Sequence, residues 1–121
     1  MARGVGVADR TPPDFAGLSA ATTCIPGPIG PPRSSRYNLR WSAASDNLTA
    51  QDQIVYDIYQ ASKPGGETFS APTYTTAPGA MSFTTPPLSS SDTWYFVVLA
   101  RDAAGNRDSN RVEREGQNLC L

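Results

Sequence analysis

Hydrophobic and polar side chains alternate along several short stretches of this chain, most clearly in residues 93–106, with the sequence TWYFVVLARDAAGN. Successive side chains of an extended backbone point to opposite faces, so every second residue of this stretch shares one face. The stretch shows no helical period and ends in a glycine-containing turn. We therefore predict a strand with one face in the core, followed by a tight loop. The predicted inward residues are Trp94, Phe96, Val98 and Ala100.

The same alternation predicts two core strands earlier in the chain, at residues 36–43 (RYNLRWSA) and 53–60 (QIVYDIYQ). Their inward residues are Tyr37, Leu39 and Trp41 in the first strand and Ile54, Tyr56 and Ile58 in the second. Four weaker strands are predicted at residues 14–21, 68–74, 80–85 and 109–115. The first of these is expected to bend near Gly17. Because no stretch has a helical period, we predict an all-β chain with seven strands.

Glycine and proline punctuate these strands, with ten glycines and eleven prolines in the 121 residues. A chain of this length forms one domain. Residues 1–11 are predicted to be an N-terminal linker or cloning remnant, and residues 12–121 the domain itself. Within the domain, residues 22–35 hold too many prolines and glycines for a strand or helix. They are predicted to be a long loop between the first two strands.

Composition narrows the possible functions. The net charge is −1 at pH 7 and the cationic residues are scattered, so we expect no nucleic-acid partner. No apolar stretch approaches the length of a membrane span, so we expect no membrane insertion. The opening residues 1–14 have neither the apolar core nor the small-residue cleavage pattern of a secretion signal, so we expect none in this sequence. The chain has no histidine, which removes Ser-His and Cys-His catalysis and imidazole-bound zinc.

An acidic pair for glycoside hydrolysis is the enzymatic alternative that composition leaves open, with Asp57 and either Asp102 or Glu67 as its members. A small β-sandwich offers no deep cleft for a sugar chain. Turns and solvent-facing strand positions account for all of these carboxylates. We therefore expect a non-enzymatic protein without a cofactor.

Several of these residues together resemble the fibronectin type III domain. The likeness covers residues 12–115, and its motifs are Trp41 in YNLRW, the segment IVYDIY, Leu88, Trp94 and the ending DAAGN. The resemblance implies an immunoglobulin-like, seven-stranded antiparallel β-sandwich. The chain particularly resembles the modules of this family found in bacterial secreted and cell-surface proteins. The family usually has tyrosine where this chain has Trp94. We therefore expect the hydrogen bond from that side chain to the backbone to be missing.

The resemblance implies a function as well as a fold. It predicts a non-enzymatic extracellular module that serves as a spacer or as a protein- or glycan-binding unit of a multidomain protein. Its partners would be neighbouring domains of the same chain and a protein or glycan ligand, outside the cell or at its surface. Two alternatives are a self-assembling structural subunit and a carbohydrate-binding accessory domain of a secreted hydrolase.

The two cysteines, Cys24 and Cys120, are too few for a four-thiolate zinc site. Taken alone, they are either a disulfide or two unpaired thiols. In the fibronectin type III topology, the loop after the first strand and the exit from the last strand lie at the same pole. The resemblance therefore implies a Cys24–Cys120 disulfide, which would stabilise the fold by roughly 4–5 kcal/mol in the chain-entropy model.

At the opposite pole of that topology, two loops bring polar side chains together, and Asp9 arrives there from the N-terminal segment. These residues are Asp46, Asn47, Asp102, Asn106 and Asp108. They are candidates for contact with a ligand, and Asp46, Asp102 and Asp108 are the alternative for calcium. Aspartate and asparagine are also favoured in turns, where their side chains bond to nearby backbone. We therefore expect no metal at this pole.

Exposed aromatic rings are a second candidate for ligand binding, since they stack on sugars and anchor protein contacts. The strip predicted to do so consists of Tyr56, Tyr59 and Tyr95, with Tyr74 nearby.

Overall fold

Ten short strands and one turn of 3-10 helix form in residues 9–24 and 34–119, the part of the chain that the computed structural model describes. The strands are β1 (Ala20–Thr23), β2 (Ser34–Ser35), β3 (Asn38–Arg40), β4 (Val55–Ala61), β5 (Tyr74–Thr75), β6 (Ser82–Thr84), β7 (Leu88–Ser89), β8 (Tyr95–Arg101), β9 (Arg114–Glu115) and β10 (Gln117–Asn118). The 3-10 helix is Gln51–Gln53. Across these residues no helix has the length and apolar character needed to cross a membrane.

Two four-stranded sheets and one two-stranded ribbon account for these strands. The first sheet has the order β9-β8-β4-β5, the second has the order β10-β1-β3-β6, and β2 pairs with β7. The longest pairing is antiparallel, between β4 and β8, and runs from Val55 opposite Arg101 to Ala61 opposite Tyr95. The remaining pairings are also antiparallel except that of β10 with β1. The predicted all-β class is confirmed.

The core lies between the two sheets and is formed by the alternating residues of β3, β4 and β8. Leu39, Tyr56, Ile58, Phe96 and Val98 have no exposed surface. The aromatic rings of the core pack at tilted angles. The ring centroids of Trp41 and Tyr56 are 5.1 Å apart, and those of Tyr37 and Phe96 are 5.6 Å apart. The inward faces predicted for these three strands are confirmed.

The last part of the chain changes sheets at Gly116. Before it, Arg114 and Glu115 pair with β8 in the first sheet. After it, β10 pairs with β1 in the second sheet. A Cβ atom at Gly116 would collide with the ring of Tyr37, so the crossing requires glycine.

The weaker strands differ from the prediction. The first strand lies at Ala20–Thr23 rather than residues 14–21, because Gly17, with φ of 90°, interrupts the extended backbone at the expected bend. The predicted strand at residues 109–115 is reduced to Arg114–Glu115. Asn110 explains the loss, because its side chain accepts a hydrogen bond from the Val112 amide and donates one to the Val98 carbonyl. The result is ten strands in three sheets rather than seven strands.

Trp94 makes a hydrogen bond from its side chain to the backbone, although we expected this bond to be missing because tryptophan has no hydroxyl group. The indole N–H donates a hydrogen bond of 2.8 Å to the carbonyl oxygen of Ser89, five residues upstream. An indole therefore ties the entrance of β8 to the preceding turn, as a tyrosine hydroxyl does in a tyrosine corner.

The outer face of the first sheet is also covered. Tyr59, Val97 and Leu99 form a second buried cluster on this face, against the ring of Phe69. Arg111 covers Phe69 in turn, with its guanidinium carbon 3.9 Å from the ring centroid. The face of β8 opposite the core is therefore buried as well.

Candidate functional site

Three separate segments meet at one end of the molecule, and we call residues 9–14, 45–50 and 102–108 the loop pole. The backbones of Asp14 and Ser45 exchange two hydrogen bonds, of 2.7 and 3.0 Å. The amide N–H of Ala103 donates to the hydroxyl of Thr49 at 3.0 Å. The side-chain amide of Asn106 donates to the carbonyl oxygen of Asp9 at 2.8 Å. These bonds join each of the three segments to another.

Each loop is also shaped by its own aspartate. One oxygen of Asp46 accepts hydrogen bonds from the amides of Leu48 and Thr49, at 3.0 and 2.9 Å. One oxygen of Asp102 accepts the amides of Ala104 and Asn106, at 3.0 and 2.8 Å. Aspartate favours such turns because its short side chain reaches the following amides. The loops are therefore held by local chemistry that their sequences encode.

Three carboxylates converge at the loop pole. Asp9, Asp46 and Asp102 each place one oxygen within 4.8 Å of the others. Asp102 is buried, and the other two are half-buried. Carboxylate oxygens are ligands of the type that suits a hard cation such as calcium, which takes six to eight oxygens in all.

Asp108 was in the predicted calcium set but uses its carboxylate elsewhere. One oxygen accepts the amide of Ala100 at 2.7 Å, and the other accepts the side-chain amide of Asn110 at 2.6 Å. Asp108 thereby fixes the chain that leaves the loop. Asp9 completes the cluster in its place.

The pKa values of Asp9 and Asp102 are shifted in opposite directions. For Asp9, the hydrogen bond from the Thr11 amide favours ionisation, but burial and the neighbouring carboxylates outweigh it and raise the pKa. For Asp102, burial disfavours ionisation, but the hydrogen bonds from Asn106, Asp9 and Ala104 outweigh it and lower the pKa. Of these two carboxylates, Asp102 therefore keeps its charge more readily.

The outer surface of the loop pole is small and mixed in character. Asn47, Leu48, Ala103 and Ala104 are exposed there. Leu48 has 64% of its surface exposed, which makes it one of the three large hydrophobic residues exposed in the described chain. The other two, Met81 and Leu119, lie outside the loop pole. Leu48 is therefore the apolar group that this end of the molecule offers to a partner.

The predicted aromatic strip does not form an exposed surface. Tyr56 and Tyr59 are almost wholly buried, on opposite faces of β4. The Tyr56 hydroxyl accepts the amide of Ala44, and the Tyr59 ring packs on Phe69. Tyr95 is half-buried and is the first residue of β8. Because Tyr56 and Tyr59 are three positions apart in one strand, their side chains lie on opposite faces, which excludes a continuous strip.

Glu67 and Glu113 lie in contact, and this pair of carboxylates was not predicted from the sequence. Burial, together with a hydrogen bond to Glu113, raises the pKa of Glu67 to about 7. Glu113 also accepts the amide of Gly65 at 2.8 Å, which ties the turn after β4 to the segment before β9. The two residues lie far apart in sequence and follow no shared pattern, so the sequence gives no signal of their contact.

The predicted disulfide falls partly outside the described residues, because Cys120 is not among them. Cys24 directly follows β1, and the chain before Cys120 runs alongside it. Asn118 pairs with Thr23, and the amide of Leu119 donates to the carbonyl oxygen of Thr23 at 2.9 Å. This register brings the residue before Cys120 beside the residue before Cys24. The Cys24–Cys120 disulfide stays a prediction.

Comparison with known proteins found no matching protein family, no matching curated protein and no matching solved structure.

Proposed function

We propose that this chain is a fibronectin type III module of a bacterial extracellular or cell-surface protein, without enzymatic activity, that binds a protein or glycan or spaces neighbouring domains. The observation that carries the proposal is the construction of the loop pole. Three segments are cross-linked there by side-chain and backbone hydrogen bonds and present a small exposed face. Loops held on a rigid scaffold are the usual location of binding residues in such folds.

The order of strands supports the fold assignment. We assign β1, β3 and β6 to one sheet of the family's sandwich and β5, β4, β8 and β9 to the other. The ribbon of β2 and β7 and the short β10 are then additions to the seven strands. The hydrogen bond from Trp94 to Ser89 supports the same assignment, because it ties the chain at the position of a tyrosine corner.

Rigidity matters for the proposed binding role. Ordering a flexible loop on binding costs free energy, and a loop that is already held in place avoids most of that cost. At the loop pole, the bonds of Asp46, Thr49 and Asp102 hold the backbone while leaving Leu48 exposed. The binding face is therefore prepared before a partner arrives.

The two alternative functions draw less support. Two of the three tyrosines proposed for sugar stacking, Tyr56 and Tyr59, are buried, which removes the continuous strip on which the carbohydrate-binding accessory domain depended. Self-assembly through the edges of the two four-stranded sheets would use β5, β6, β9 and β10, which have two or three residues each. Such short edges discourage strand-to-strand association.

Binding assays with matched variants test the proposal. We would measure binding of the protein to immobilised cell-wall glycans and to purified envelope proteins. For any partner found, L48E should abolish binding, because it places a charge in the apolar centre of the exposed face. M81E changes another exposed hydrophobic residue, which lies away from the loop pole, and should leave binding intact. Loss of binding in M81E but not in L48E would move the site away from the loop pole.

A further inference from the structure

We propose that the loop pole binds a calcium ion through the carboxylates of Asp9, Asp46 and Asp102. This site would hold whether or not the exposed face of the pole binds a partner.

The first observation is the uncompensated charge of the cluster. The three carboxylates come from three segments and place oxygens within 4.8 Å of one another. In residues 9–24 and 34–119, both ion pairs involve Asp57, and neither involves the cluster. Three like charges at this spacing repel one another unless a cation or a proton intervenes.

The second observation is independent of the charge count. Oδ2 of Asp9 and Oδ1 of Asp46 have almost no solvent-accessible surface and accept no hydrogen bond from an N–H or hydroxyl group of the described residues. The hydrogen bond from Asp9 to Asp102 requires a proton on Asp9, which a bound cation would displace. Buried polar atoms are normally paired, because water that is removed from an oxygen must be replaced. Two such oxygens from different segments in one cluster indicate that a positively charged group belongs between them.

Backbone hydrogen bonds already hold the other oxygen of each of these two residues. Oδ1 of Asp9 accepts the amide of Thr11 at 3.0 Å, and Oδ2 of Asp46 accepts the amide of Thr49 at 2.9 Å. The turn-forming role of aspartate therefore explains one oxygen of each residue and leaves the other free. The side-chain amide of Asn106 fixes the second oxygen of Asp102 at 3.0 Å in the same way. The carboxylates are thus oriented before any cation binds.

The chemistry of the donors favours calcium, and their spacing permits it. All the donors are oxygens, which suit a hard cation and disfavour zinc or copper. Calcium–oxygen distances reach about 2.6 Å, so two oxygens bound to one calcium lie up to about 5.2 Å apart. The oxygens of the cluster lie within 4.8 Å of one another, which is inside that limit. Magnesium demands near-ideal octahedral geometry and is usually bound through one or two carboxylates, whereas calcium accepts several carboxylates in a less regular arrangement.

Calorimetry and thermal unfolding test the site directly. Protein treated with a chelator and then dialysed should release or absorb heat on titration with calcium chloride, and calcium should raise its Tm. D9N and D46N should each weaken calcium binding by at least about tenfold, since each removes a charged ligand. Asparagine keeps an acceptor oxygen for the Thr11 or Thr49 amide, so both variants should fold.

The control is D52N, which removes an exposed acidic residue of the 3-10 helix beside the loop pole. It should bind calcium as the original chain does. Wild-type protein that is folded by circular dichroism, yet shows neither heat nor a shift in Tm with calcium, would overturn the proposal. Equal affinity in wild type, D9N and D46N would overturn it as well. The assay contains no protein or glycan partner, so its failure leaves the proposed binding function untouched.

Discussion

Asp57 and the aspartates of the loop pole differ in whether a positively charged side chain lies beside them. Asp57, on the outer face of the first sheet, is fully buried and lies 2.9 Å from the Arg101 guanidinium and 2.8 Å from that of Arg107. The carboxylates of the loop pole have no such cation among the described residues. The charge of Asp57 is balanced by two arginines, so this contact is structural. Within the described part of the chain, the charges of the loop-pole cluster are not balanced by a cationic side chain, so the cluster could bind a cation.

The pKa of Asp57 reflects that completed contact. Burial alone would raise it, but hydrogen bonds from Arg101, Thr75 and Arg107 outweigh burial and lower it. The same contact raises the pKa of Arg101. Because the folded pKa of Asp57 lies below its unfolded value, its stabilisation is present above the ordinary aspartate range. It is lost as the pH falls through the folded pKa.

The largest effect is expected from D57N. The substitution removes the charge that holds Arg101 and Arg107, and we expect the free energy of unfolding to fall by about 3 kcal/mol. Urea denaturation, followed by tryptophan fluorescence, measures the loss. D52N is the matched control on the surface and should change stability little. A loss in D57N no larger than that in D52N would show that the two arginines contribute nothing beyond an exposed ion pair.

A smaller effect is expected from Glu67, where a shared proton takes the place of a cation. Its folded pKa of about 7 lies above the ordinary glutamate value of 4.5, so the folded state holds the proton more tightly between these values. Stability should therefore fall as the pH rises through this window. Because solvent screens the partly exposed pair, we expect a loss of less than about 1 kcal/mol.

E67Q tests this account, because glutamine keeps a hydrogen-bond donor toward Glu113 at every pH. The variant should show a flatter dependence of Tm on pH between 4.5 and 7 than the original chain. E115Q changes an exposed glutamate of β9 and should keep the original dependence. A fall in Tm that is the same in E67Q and in the original chain would assign it to other groups.

The smallest effect is expected from D9N in calcium-free buffer. The sign of the change in Tm distinguishes the loop-pole aspartates from Asp57. Removing one of three like charges should relieve repulsion, so the Tm should rise slightly where D57N lowers it. The amide of Thr11 can still donate to the asparagine oxygen. A fall in Tm for D9N would mean that the cluster is already compensated without calcium.

Much of the core could be predicted from the sequence, because burial on one face imposes a period of two on β3, β4 and β8. Leu39, Tyr56 and Phe96 are buried as that period requires. The shorter strands could not be predicted as well. Around β9, the side chain of Asn110 bonds to the backbone and replaces the sheet pairing that a sequence pattern assumes.

The candidate site could be predicted only in part. The turn chemistry of Asp46 and Asp102 is local and visible in the sequence, since each bonds to amides within four residues. The position of Asp9 depends on its contact with Asn106, which is 97 residues away. The partners of Asp57 are likewise 44 and 50 residues distant. Such pairings follow from the folded topology and have no local pattern.

A structure determined from crystals grown with calcium is the most direct test of the contrast between the loop pole and Asp57. We expect an anomalous peak at the loop pole, about 2.3–2.6 Å from oxygens of Asp9, Asp46 and Asp102, and none beside Asp57. A loop pole with no bound ion, in which an arginine or lysine reaches the three carboxylates, would contradict the account.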